Sequence, residues 1–108
     1  MVEQVFQLDG IFGSLADPTR RDILSRLQRS ELNVSDVAEP YDMSLAAISK
    51  HLKILEQAKL IRKRRQGKER IVSLTPETMM QASNYLKQYE RLWNERFDRL
   101  EIFLKEES

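Results

Sequence analysis

Apolar residues recur every three or four positions along most of the chain, and the breaks in that rhythm mark its elements. Val2, Val5, Phe6, Ile11, Phe12 and Leu15 line one side of a first helix. Asp17-Pro18-Thr19 opens a second. Asp17 is a capping residue, and Pro18 suits the first helical position, where its missing N–H is not needed. Ile23, Leu24 and Leu27 bury one face of this helix, with Arg20, Arg21, Arg26 and Arg29 expected in water. Residues 34–38 predict a short helix with Ser35 as cap, limited by Pro40. The next helix begins at Ser44 and carries Ile48, Leu52 and Leu55 as an inward stripe. After Leu60 the pattern changes. Residues 61–66 and 70–75 read as two short strands, with Gln66-Gly67-Lys68-Glu69 as the turn between them. Thr75-Pro76 then starts a last helix by the same capping logic, and no breaker follows before about Lys105.

That last helix is apolar for longer than a small domain can cover. Met79, Ala82, Leu86, Tyr89, Trp93, Leu100 and Phe103 keep alternating three- and four-residue steps, with Arg96 as the one polar interruption. Leu92, Phe97 and Leu104 widen the stripe. The predicted cover is a second copy of the chain, and packing against the first helix is compatible with it. The interface candidates are Val5, Phe6 and Phe12 on the first helix and Leu86, Tyr89, Trp93 and Leu100 on the last.

Composition narrows the class. The 108 residues suit one domain spanning 1–108. With no cysteine there is no disulfide, thiolate metal site or thiol switch. No apolar run approaches the roughly 20 residues of a membrane span, and the first ten residues lack the layout of a signal peptide. A cytoplasmic address is the expectation. The net charge of +1 conceals an asymmetry: residues 44–70 carry nine basic and two acidic side chains, and the other 81 residues carry nine basic and 15 acidic. A basic middle in an otherwise acidic chain is the footprint of a polyanion-binding face.

The order helix, helix, short helix, helix, hairpin, helix, with a tight turn at Tyr41-Asp42-Met43, predicts a helix-turn-helix followed by a β-wing. The fold class is therefore mainly α with a small β-hairpin wing: a winged helix-turn-helix, dimerising through its terminal helices. The outer face of the helix over 44–58 offers Ala46, Ser49, Lys50 and Lys53. Small residues beside lysines let that helix enter a major groove about 12 Å wide. Its Ser, Lys and His side chains can meet base edges or phosphates, and the basic wing can clamp the backbone.

Residues 34–60, VSDVAEPYDMSLAAISKHLKILEQAKL, closely resemble the helix-turn-helix of ArsR/SmtB-type bacterial repressors. Ser49-Lys50-His51-Leu52 and Leu55-Glu56-Gln57-Ala58 carry the likeness. Residues 15–21, LADPTRR, followed by Ile23-Leu24, match that family's second helix. The likeness covers nearly the whole chain and points to a branch of the family without metal sites. It implies a homodimer that binds double-stranded DNA at a palindromic operator and represses transcription, often of its own operon. By the same resemblance Ser44, Ala46, Ser49, Lys50, His51 and Lys53 face DNA. Arg64, Arg65, Lys68 and Arg70 belong to the wing, over 61–75, and the helix over 76–105 dimerises. Lys59 stands where the family usually has glycine, so this helix must end differently or hold Lys59 under strain.

Metal-responsive members carry cysteines where this chain has Asn33 and Ser35, or histidines on the last helix, where it has none. No metal or other cofactor is expected. The single histidine, His51, has no partner set for nucleophilic catalysis, so no catalytic residues are expected either. No pattern identifies a small-molecule effector. The competing reading is a winged-helix module that docks on an acidic protein. Such surfaces usually offer large apolar anchors, which Ala46, Ser49, Lys50 and Lys53 do not.

Overall fold

A computed structural model describes the backbone of residues 2–107 and the side chains of residues 7–106. The elements run α1 (Val2–Ser14), α2 (Pro18–Leu27), β1 (Leu32–Asn33), α3 (Val34–Ala38), α4 (Leu45–Gln57), β2 (Ile61–Gln66), β3 (Glu69–Leu74) and α5 (Pro76–Glu107). The winged helix-turn-helix architecture read from the sequence is the one observed.

Periodicity places the core. Ile23, Leu24 and Leu27 of α2 close over Val37 of α3 and over Ile48, Leu52 and Leu55 of α4. Leu60, Ile61 and Val72 seal the sheet against these helices, and Ile11 and Ala82 bring in α1 and α5. Each fully buried aliphatic side chain here contributes roughly 1.5–3 kcal/mol relative to exposure. Val5 and Phe6 lie outside the residues whose side chains are described.

Two helix starts follow the sequence. The Asp17 carboxylate accepts from Arg20 N at 3.0 Å, and the Ser44 hydroxyl accepts from Ala47 N at 3.1 Å. Two others differ. Asn33, not Ser35, caps α3, its Oδ1 accepting from Asp36 N at 2.7 Å. The reason lies in β1, a two-residue strand that pairs antiparallel with β3, Leu32 opposite Val72 and Asn33 opposite Ile71. Pairing holds Asn33 extended, as a cap must be, and leaves Ser35 inside the helix. At α5 the Thr75 carbonyl, not its hydroxyl, accepts from Thr78 N. Thr75 Oγ1 is buried without a partner.

The second wing strand begins at Glu69, one residue earlier than expected, so the hairpin closes on Gln66 opposite Glu69 around Gly67-Lys68. Gly67 has φ 63, which a glycine accepts at no steric cost at the first position of a two-residue hairpin turn. Lys59 also has a positive φ, 62. Leu60 N donates to Leu55 O and Lys59 N to Glu56 O, both at 3.0 Å, a complete Schellman ending. The lysine thus adopts the glycine ending and carries its strain, while the flanking Leu55 and Leu60 are fully buried.

Candidate nucleic-acid interface

The helix-turn-helix is fastened from α2. Arg26, expected in water, is half-buried: its guanidinium donates to Val37 O (2.9 Å) and Asp36 O (2.7 Å) in the last turn of α3, and lies 5.4 Å from the Tyr41 ring centre. The Tyr41 hydroxyl donates to Asp22 at 2.5 Å. Burial, then the Asp22 carboxylate, hold the Tyr41 hydroxyl above its ordinary value. The Tyr41 side chain is therefore held at both ring and hydroxyl, which ties the start of the turn to α2, while Ile48, Leu52 and Leu55 seat α4 on the core.

Of the residues expected to face DNA on α4, Ser44, Ala46, Ser49, Lys50 and Lys53 are exposed. The Ser44 oxygen is engaged as a cap, which leaves its hydrogen free to be donated. His51 stands apart. It is half-buried, with Nδ1 3.2 Å from Arg20 Nη1 and 3.9 Å from Asp17. The Arg20 guanidinium, also expected in water, is anchored on the end of α1 by a bond from Nε to Ser14 O at 2.7 Å. The Arg20 backbone N–H, above all, holds the Asp17 carboxyl below its ordinary value. Leu45, not singled out by periodicity, is 62% exposed on the first turn of α4.

The wing separates its cations into two groups. Arg62 pairs with Glu77 at 3.5 Å and Lys63 with Glu56 at 3.7 Å. Arg64 donates twice to Glu31, once from Nη2 to Oε1 at 2.9 Å. That hydrogen bond lowers the Glu31 carboxyl and raises the guanidinium. Arg65, Lys68 and Arg70 are exposed, and no carboxylate among the described residues lies within ion-pair distance of them. Arg65 sits directly opposite Arg70 in the β2–β3 register. Like charges opposed in this way repel, and a phosphate between them would remove the repulsion.

The dimer candidates divide along α5. Ala82 is buried, Tyr85 meets the Phe12 ring at 5.8 Å, and beyond that point no described residue from another element covers the helix. Leu86, Tyr89, Trp93, Phe97, Leu100 and Phe103 are all about half exposed or more. Among the described residues no three His, Asp or Glu side chains converge as a metal site would need, and no helix is long and apolar enough to cross a membrane.

A family model described as a helix-turn-helix domain matches residues 15–64. The chain is 34% identical over 79 residues to the transcriptional repressor SdpR of Bacillus subtilis, covering 73% of this chain and 88% of that one. Its fold is similar to the crystal structure of an ArsR family transcriptional regulator, at a TM-score of 0.75 and 41% identity over 82% of this chain and 91% of that one. It is also similar in fold to the homodimeric winged helix-turn-helix DNA-binding domain of Mb0332 from Mycobacterium bovis, at a TM-score of 0.63 and 22% identity over 82% and 81% of the two chains.

Proposed function

Because this chain belongs to the ArsR/SmtB-type family of winged helix-turn-helix regulators, and is a DNA-binding transcriptional regulator of that kind, we propose that it acts as a homodimeric repressor on a palindromic operator, in the cytoplasm and without catalytic activity of its own. The whole chain serves as one domain. The observation that carries the reading is the division of exposed surface. Uncompensated cations and small polar residues lie on α4 and the wing tip, and large apolar residues lie on α5.

In this reading α4 enters the major groove. Ser44, Ala46, Ser49, Lys50, His51 and Lys53 line its DNA side. Leu45 joins them, since an aliphatic side chain at a helix start suits a thymine methyl group. Arg65, Lys68 and Arg70 hold the sugar-phosphate backbone. Arg64, already engaged by Glu31, braces the wing and contributes less. Phe12, Leu86, Tyr89, Trp93 and Leu100 meet their symmetry mates in an isologous interface. The homodimeric Mycobacterium bovis domain of the same fold supports this assembly. A two-fold dimer presents two α4 helices to half-sites about 34–36 Å apart.

The test is nuclease protection of the DNA immediately upstream of the chain's own gene. Protection of an inverted repeat with that spacing is expected, and it would give operator and autoregulation together. Binding to an acidic protein without protection of any DNA would favour the docking-module reading instead.

A further inference from the structure

Arg20 joins three helices through one guanidinium. It belongs to α2. Nε donates to Ser14 O (2.7 Å) and Nη2 to Gly13 O (3.5 Å) at the end of α1, and Nη1 reaches Nδ1 of His51 on α4 at 3.2 Å. A guanidinium can only donate. Nδ1 must therefore accept, which places the proton of the neutral imidazole on Nε2. The competing arrangement, Nδ1–H donating to Asp17, is disfavoured on distance: the carboxylate is 3.9 Å away, and the same oxygen already accepts from Arg20 N. Nε2 has no hydrogen bond to any described residue and is not among the side-chain polar atoms sealed from solvent. It is a donor at the surface of the helix that carries Lys50 and Lys53.

We propose that Arg20 is a positioning residue for DNA binding: it fixes His51 as the Nε2–H tautomer, oriented to donate to the sugar-phosphate backbone beside the groove that α4 enters. The inference rests on the placement of α4 at DNA given above. Arg20 itself touches no DNA. Its fork holds the ring from behind, tied to the carbonyl end of α1. A lysine can supply the charge there but not the fork.

The experiment is a double-mutant cycle between Arg20→Lys and His51→Ala, because Arg20→Lys keeps a cation on the α1 carbonyls and so preserves the fold. The probe is the tightest duplex that the wild-type protein selects from a random library. Arg20→Lys is expected to weaken binding about fivefold per protomer, the scale of one net hydrogen bond, and to have no further effect on the His51→Ala background. His51→Gln, which keeps a donor near the Nε2 position, is expected to retain most of the affinity. Arg20→Ala is expected to leave the salt dependence unchanged, because Arg20 itself neutralises no phosphate.

Equal losses from Arg20→Lys on both backgrounds would overturn the proposal and make Arg20 purely structural. So would a log–log salt slope for Arg20→Ala shallower by about 0.9 per phosphate, which would make Arg20 a phosphate ligand. A wild-type protein that selects no duplex would overturn the placement of α4 itself. Normal selection with additive losses would overturn only the role of Arg20.

Discussion

The outer faces of α4 and α5 are both open to solvent, and they are chemical opposites. On α4 the exposed positions are Ser44, Ala46, Ser49, Lys50 and Lys53, with Leu45 at the start; on α5 they are Leu86, Tyr89, Trp93, Phe97, Leu100 and Phe103. Exposure alone says nothing about the kind of partner. A face of small side chains and lysines loses little by staying wet and gains when a polyanion approaches closely. A face of aromatic and aliphatic side chains is costly to leave wet at any time. The first fits an intermittent partner, DNA, and the second a permanent one, another copy of the chain.

The largest effects are expected at α5. Leu86→Ala combined with Trp93→Ala should convert the dimer to monomer or unfold it. Truncating a buried Leu costs about 2–5 kcal/mol, and a two-fold interface counts each change twice. Equilibrium sedimentation at tens of micromolar measures this, and a monomeric wild type there would refute the assembly.

On α4 and the wing the effects should be smaller and of two kinds. Lys50→Ala should alter the preference among operator variants by about 1–3 kcal/mol where it meets a base. Arg65→Ala should weaken binding to operator and random duplexes alike, with a log–log salt slope shallower by about 0.9 for each phosphate no longer neutralised. Arg64→Ala should do this less, because Glu31 already holds its charge. Binding isotherms across a salt series distinguish the three, and a larger loss of affinity at Arg64 than at Arg65 would contradict the division of the wing.

Lys59→Gly should leave both faces as they are and raise stability by up to about 1 kcal/mol, since only the left-handed strain is removed. A calorimetric midpoint higher by a few degrees is expected. The smallest effect is on acidification. Asp17 and Glu31 have carboxyls held below their ordinary values of 3.8 and 4.5. The stability they contribute is therefore complete above those values and is lost as pH falls through the lower folded ones. Asp17→Asn should flatten the acid side of a plot of melting midpoint against pH.

Much of this was legible because it is local. The Ile48, Leu52 and Leu55 stripe, the Asp17 and Ser44 caps and the Gly67 turn each depend on residues within a few positions of one another. What escaped depends on distant partners. The Asn33 cap needs β3, some forty residues on, to hold β1 extended. Arg20 and Arg26 read as surface cations because nothing nearby in sequence shows that His51 or the end of α3 lies in front of them. Arg64 reads as one basic residue among several, because Glu31 reaches it only across the sheet. Lys59 shows the reverse: the position demands a left-handed residue, and Leu55 and Leu60 enforce that geometry on a lysine.

The sheet order β1-β3-β2 has a mechanical consequence. Asn33 ends β1 and caps α3 in the same stroke, so no loop separates the wing's third strand from the helix-turn-helix. In the proposed complex the helix-turn-helix and the wing would therefore move as one hydrogen-bonded frame. One base pair added between half-sites turns them by about 34–36° relative to each other. A stiff frame cannot absorb that rotation. On the proposed dimer the joint between the two copies must then take it up, so the half-site spacing it accepts would be set at α5 rather than in the wing.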